Sequence, residues 1–336
     1  MRFTPSRGIR RPLGRASANA RRFAAFAGAG ALLAAGTPQA SCGSAFCTVN
    51  SDWTSETAIV EPGGTLDLRY EYINQDQPRT GTRNVAVGEI PLHHDEVSTA
   101  NRNVLLSYSY TFDSNWGVSI VAPFVSRRHF HIHNHHGEQL SDRWSFDEIG
   151  DVRVAGRYQV PGGDSLAPTT SGVTFGIKLP TGRTTIANDE GEVAERSLQP
   201  GTGTTDAIAG AYFHQRLPAL DATWFAQLQY QRALNTHAGF KPGDRLNLDV
   251  GVRKGLTEDL GALLQLNVLV KRRDSGAEAE PEDSGGRFVS LSPGLSYAVT
   301  QQVQVYAFLQ FPVYQNVNGV QLTASRAVVA GISGRF

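Results

Sequence analysis

No acidic residue occurs before Ser41, no apolar run of about 18 residues occurs anywhere in the chain, and cysteine is nearly absent, with only Cys42 and Cys47 in 336 residues. Each shortage excludes something. Without a long apolar run there is no transmembrane helix. The acid-free start instead carries seven arginines (Arg2, Arg7, Arg10, Arg11, Arg15, Arg21, Arg22), followed by 13 apolar or small residues from Phe23 to Ala35. A basic head, a short apolar middle and a small-residue exit near Ala40 describe an export signal, too short to span a bilayer. Residues 1–40 are therefore expected to be a cleaved signal peptide. The pair Arg21-Arg22 looks faintly like a twin-arginine signal, but the surrounding residues fit poorly, and the general secretory route is the expected one.

Loss of those seven arginines from 31 basic residues leaves 24 against 31 acidic ones, a mature charge of about −7. Nothing in that balance suggests nucleic acid as a partner. In an oxidising periplasm a local Cys42–Cys47 disulfide is the plain reading. Lipid modification of Cys42 and a two-thiolate metal site stand as alternatives. The first lacks the large apolar residue expected in Gln39-Ala40-Ser41, and the second lacks an adjacent His.

What the rest of the chain does have is alternation. Leu66, Leu68, Tyr70 and Tyr72 alternate with Asp67, Arg69 and Glu71, and Val104 to Phe112 alternates with Ser107, Ser109 and Thr111. The same period of two recurs at 116–124, 152–158, 173–179, 206–215, 224–230, 246–252, 264–270, 289–297, 303–311 and 328–336. That predicts about 12 strands, an even number. Short connections near 113–115, 217–218, 255–257 and 300–301 alternate with long polar ones at 74–97, 127–146, 180–203, 232–244 and 272–286. Short periplasmic turns and long outer loops are the asymmetry of outer-membrane barrels, and a C-terminal Phe336 at the membrane interface fits the same picture. A soluble β-sandwich needs neither this loop alternation nor a polar inner face. The expected fold is all-β, an antiparallel transmembrane β-barrel over 64–336, preceded by a periplasmic segment at 41–63. The expected location is the bacterial outer membrane.

Several stretches carry a family resemblance. They are Gly150-Asp151-Val152-Arg153, Gly176-Ile177-Lys178-Leu179-Pro180-Thr181-Gly182, Leu198-Gln199-Pro200-Gly201-Thr202-Gly203, Pro293-Gly294-Leu295-Ser296-Tyr297 and Pro312-Val313-Tyr314-Gln315. From about residue 60 onward the chain resembles the outer-membrane transporter family described as the putative MetA pathway of phenol degradation. The resemblance implies transport of small, including aromatic, compounds. Its motifs are backbone and turn motifs that define no substrate.

The candidate pore residues are the inward polar set: Asp67, Arg69, Glu71, Arg153, Arg157, Lys178, Gln227, Gln229, Asp249, Arg253, Gln265, Lys271 and Gln304. Mixed signs across a lumen would set selectivity, or would close it by pairing. A 12-strand barrel is wider than the eight-strand kind that side chains fill, so a narrow polar pore is physically feasible.

Histidines cluster at His129, His131, His133, His135 and His136, with His93 and His94 in the preceding outer loop. If the strand ending near Phe124 runs on past Pro123, His129, His131 and His133 share one face. Neutral imidazoles in that arrangement suit Zn or Cu, and binding would fail below about pH 6. The opposing reading is a solvated loop tip. No cofactor is required on either reading. A hydrolase is the remaining class, with His94-Asp95 and Ser141-Asp142 as its only candidates and no nucleophile motif beside them. Expected partners are outer-membrane lipid and lipopolysaccharide, the barrel-assembly machinery through the strand ending in Phe336, and a small solute.

Overall fold

The structure, a computed structural model, describes residues 62–91, 95–135, 138–161 and 169–336. The expected signal peptide, Cys42, Cys47, most of the 41–63 segment, His93, His94 and His136 lie outside the described residues, as do the side chains of His133 and His135.

Thirteen strands make one sheet: β1 (Gly63–Gly81), β2 (Arg83–Asn84), β3 (Asp95–Thr111), β4 (Trp116–His135), β5 (Glu138–Ile149), β6 (Arg153–Gln159), β7 (Thr169–Lys178), β8 (Asp206–Leu217), β9 (Ala222–Ala233), β10 (Arg245–Gly255), β11 (Leu260–Lys271), β12 (Gly286–Ala298) and β13 (Val303–Arg335). Neighbours in sequence are neighbours in space, and every ladder is antiparallel. The last strand pairs with the first, Thr65 opposite Arg335, and Gly64 and Phe336 exchange backbone hydrogen bonds of 2.8 and 2.9 Å. Closure leaves no edge, so every strand's backbone is satisfied inside lipid.

Parity shows how many times the chain crosses. A closed ring of antiparallel neighbours needs an even number of members, yet the ring contains eleven named strands if β13 counts once. β13 must therefore reverse. Residues 304–317 pair with β12 and residues 317–335 pair with β1, and Gly319 between them has φ 55°. The two arms touch: Gln315 Nε2 donates to Ala324 O at 2.8 Å, and Arg335 N donates to Gln302 O at 2.9 Å. The barrel thus crosses twelve times, with β5 and β6 forming one interrupted crossing beside β4.

That interruption is a one-residue bulge. Phe124 pairs with Ile149 but Val121 with Arg153, so Gly150-Asp151-Val152 holds one residue too many. The extra residue flips the side-chain parity between β5 and β6 and turns Asp151 into the barrel.

Outward positions are apolar over a band flanked by aromatic residues. Along β4 they run Trp116, Val118, Ile120, Ala122 and Phe124, and along β3 they run Val104, Leu106, Tyr108, Tyr110 and Phe112. Phe336 is 74% exposed at the periplasmic edge of this band, stacked on Tyr108 at 6.4 Å. An apolar belt between aromatic girdles is the signature of a barrel in lipid, and the protein is an integral barrel of the bacterial outer membrane.

Two of the expected outer loops are largely strand. β1 and β3 continue through much of 74–97, and β4 and β5 form a hairpin through 127–146. Polar outward residues above the belt do not end a strand, because the ladder needs only backbone pairing. The connections at 179–205, 234–244 and 272–285 are loops as expected.

Candidate functional site

The barrel encloses a cavity of about 350 Å³. Its lining runs from Thr65, Thr111 and Gly117 near the periplasmic end to Arg196, Ser197, Phe240 and Pro242 in the outer loops. Nine of the expected pore residues line it: Asp67, Arg69, Glu71, Arg153, Arg157, Lys178, Gln227, Gln229 and Lys271. Asp249 lines a separate small void of about 40 Å³ beside Asn267 and Pro312. Gln265, Arg253 and Gln304 share the inward parity but line neither space.

The reason is an apolar cluster that fills the wall opposite β4. Ile73, Leu263, Tyr306, Phe308, Ala324, Ala327 and Val329 pack together inside the barrel. Phe308 is 1% exposed, and Tyr306 lies flat against Gly331, where a Cβ would collide with the ring. Tyr306 Oη donates to Asp67 Oδ1 and Oδ2 at 3.1 and 2.9 Å. The sequence pattern does not single out these inward apolar residues, since parity does not show which inner positions meet.

Three of the motif stretches converge on one network. Lys178 Nζ donates to Asp151 Oδ2 at 2.6 Å, to Thr204 O at 2.8 Å and to Thr202 Oγ1, and lies 3.4 Å from Asp206 Oδ1. Asp151 also accepts Gly182 N and Thr202 N, each at 3.0 Å. Thr204 Oγ1 and Gln231 Nε2 donate to Asp206 at 2.7 and 2.6 Å. Gly182 and Gly201 pass so closely that a Cβ on Gly182 would sit 2.7 Å from Gly201 Cα. Glycine is required there because two backbones cross. The motifs are therefore a clasp that ties the 179–205 loop into the barrel mouth. Asp151, Thr202 and Asp206 were not singled out from the sequence as site residues. The bulge and the loop fold bring them together, and the only sequence signal was their place inside or beside the quoted motifs.

Above the clasp a polar chain crosses the mouth. Gln75 Nε2 donates to Leu322 O at 3.2 Å, Asn101 Nδ2 to Gln75 Oε1 at 2.9 Å, Arg127 Nε to Asn101 Oδ1 at 2.8 Å, and Arg127 Nη1 to Leu198 O. Gln199 then braces the loop by accepting Ile186 N at 2.9 Å and donating to Ala194 O at 2.7 Å. Burial holds the Arg127 guanidinium down to about 9.

The histidine reading is corrected here. His129 and His131 are not solvated at a loop tip; they are 3% and 5% exposed on the inner face of the β4–β5 extension. Their rings lie 5.4 Å apart, and Trp144 packs against both, tilted on His129 at 5.8 Å and edge-on to His131 at 4.8 Å. His129 Nδ1 is bonded to Thr99 Oγ1 at 2.7 Å, and His131 Nε2 lies 3.3 Å from Asp142 Oδ2. Trp144 Nε1 donates to Glu192 O at 2.9 Å, and its ring packs with Ala194 and Leu198 of the 179–205 loop. The pair thus seats the loop. Among the described residues no group of three His, Cys, Asp or Glu could hold a metal ion, so the geometry gives the Zn or Cu reading no support. Burial, then the charges of His131 and Arg127, pull the His129 imidazole down to about 3. Ser141 and Asp142 point to opposite faces of β5, one exposed and one buried, while His94 lies outside the described residues.

No family model matches the sequence, and no curated protein sequence matches it. Likeness is found in solved structures. An outer-membrane channel from Pseudomonas putida F1 superposes with a TM-score of 0.64 at 10% identity, covering 86% of this chain and 100% of that one. The NanC porin gives a TM-score of 0.44 at 12% identity over 81% of this chain and 100% of that one. A Pseudomonas aeruginosa FadL homologue gives 0.40 at 11% identity over 90% and 97%. The first of these shares the architecture over its whole length, and the particular transporter family rests on the motif resemblance alone. The chain has the fold of a bacterial outer-membrane β-barrel.

Proposed function

We propose that the barrel is a passive channel for small solutes, with a preference for small organic anions. The carrying observation is the charge lining the cavity. Arg69, Arg127, Arg153, Arg157, Lys178, Arg196, Arg245 and Lys271 outnumber Asp67, Glu71, Asp151, Asp206 and Asp274. The carboxylates are engaged: Glu71 with Arg69 at 3.1 Å, Asp151 and Asp206 with Lys178, Asp274 with Lys271 at 2.7 Å, and Asp67 with Tyr306. Arg127, Arg157 and Arg196 instead hydrogen-bond to neutral partners: Asn101, Thr111 Oγ1, and the carbonyls of Thr184 and Thr202. The surplus field in the lumen is positive, which concentrates anions. Leu105, Val121, Val125, Ile208 and Tyr212 supply apolar wall between the charges. An anion with an apolar or aromatic body suits both surfaces, in keeping with the small aromatic cargo that the motif resemblance implies. No catalytic role is part of this reading.

The test is single-channel recording in planar bilayers under a potassium chloride gradient. A reversal potential of anion-selective sign, reduced by Arg157→Gln, is the expected result. Cation selectivity, or a correctly folded barrel with no conductance, overturns the proposal.

A further inference from the structure

Four arginines face outward above the lipid belt, Arg102, Arg128 and Arg143 on the successive strands β3, β4 and β5, and Arg326 on β13, with β1 between it and β3. Arg102 on β3 is the first outward residue beyond Val104, and Arg326 on β13 is the first beyond Val328. Arg128 on β4 lies two outward positions beyond Phe124, and Arg143 on β5 continues the line. All four are exposed.

Register makes three of them a row, and Arg326 stands opposite Asn74 of the intervening β1. Arg102 pairs with Ser126 and Arg128 with Ala100, so the two arginines are diagonal neighbours. Arg128 pairs with Ser145 and Arg143 with Phe130, which repeats the diagonal across the next ladder. Diagonal positions on one face lie about 7–8 Å apart. Arg143 is held over the Phe130 ring at 4.2 Å.

Like charges this close repel unless an anion lies between them. Among the described residues none of the four has an ion pair within 4.0 Å, although Asp147 shares the face and Asp76 lies near Asn74. The far side of the barrel offers the contrast. There, at the same border, Asp244 lies between Arg232 (4.0 Å) and Arg272 (3.7 Å).

We propose that Arg102, Arg128, Arg143 and Arg326 form a binding shelf for the phosphates of lipopolysaccharide in the outer leaflet. The row stands where the acyl region ends and the phosphorylated sugar begins. Val104, Phe124 and Val328 below it meet the chains. Guanidinium forks match phosphate oxygens bidentately, so a row of them suits a headgroup with two phosphates better than one with a single diester. The shelf is independent of the lumen and of any solute it passes.

The experiment is native mass spectrometry of the full folded chain in detergent, titrated with lipopolysaccharide, with its enzymatically dephosphorylated form, and with phosphatidylglycerol. The expected result is a retained complex with the phosphorylated form, weakened about tenfold or more by dephosphorylation and by the triple variant R102Q/R128Q/R143Q. The variant R232Q/R272Q should bind as the parent does. Equal binding of the dephosphorylated lipid by the parent protein overturns the proposal, whatever the variants do. Equal binding of phosphatidylglycerol, or a folded triple variant of unchanged affinity, also overturns it. Folding of each variant is read from heat-modifiable migration in gels.

Discussion

Lys178 Nζ lies 2.6 Å from Asp151 Oδ2, the carboxylate that the bulge between β5 and β6 turns into the barrel. Both groups are almost fully buried, and Asp206 stands 3.4 Å from the same ammonium. Removing one member of a buried ion network leaves charge without compensation, which costs about 3–5 kcal/mol. Lys178→Met is therefore expected to lower the urea stability of the refolded barrel by that order. Lys178→Met combined with Asp151→Asn should cost less than Lys178→Met alone, since the orphaned charge is reduced. A purely additive double variant in equilibrium unfolding would show that the clasp is not an electrostatic unit.

His129 links the loop seat to acid. Its imidazole is held near 3 in the folded protein, against 6.5 for the free side chain. The opened or unfolded form therefore binds the proton more tightly. The stabilising effect of the neutral, packed imidazole is complete above about pH 6.5 and is lost progressively as pH falls toward 3. By pH 4.5 the loss is on the order of 2–3 kcal/mol. The protection factors of amides in residues 186–199, with intrinsic exchange divided out, should thus fall between pH 7 and pH 4.5, and His129→Gln should flatten that dependence. An identical pH profile in the variant would remove His129 from the loop's seat.

Phe308 fills the lumen beside Tyr306 and Val329 at 1% exposure. Phe308→Ala is expected to cost about 3–5 kcal/mol. It should also raise single-channel conductance, since the vacated volume adjoins the Asp67 side of the lumen. Unchanged conductance in a folded variant would place the narrowest part of the path elsewhere, at the 179–205 loop.

Much of the barrel was legible along the chain. The pairs Leu66/Asp67 through Tyr72/Glu71, and their equivalents in β3, β4 and β7 to β12, carry inside and outside in alternate positions. The weakly patterned segment at 206–215 proved a full strand, Asp206–Leu217, whose inner face holds Asp206, Ile208 and Tyr212. The loops were harder to read. Residues 127–146 looked like a polar outer loop because polar outward residues remove the alternation, while the hairpin ladder itself depends on backbone groups that composition does not reveal. The histidines were placed on one face correctly at His129 and His131. Their burial came from Trp144 and from Leu198, far along the chain.

The sequence by itself determined the strand class, the number of crossings, the lipid-facing side and the inward set of polar residues. Side-chain direction in a strand has a period of two, and that period is a local property. Tertiary structure alone decided which inward residues share a space. An apolar cluster withdraws Arg253, Gln265 and Gln304 from the cavity, and one extra residue at Gly150-Asp151-Val152 brings Asp151 to Lys178. Those outcomes depend on register between strands and on how the 179–205 loop folds back. Both are set by contacts between residues distant in sequence, which no local period encodes.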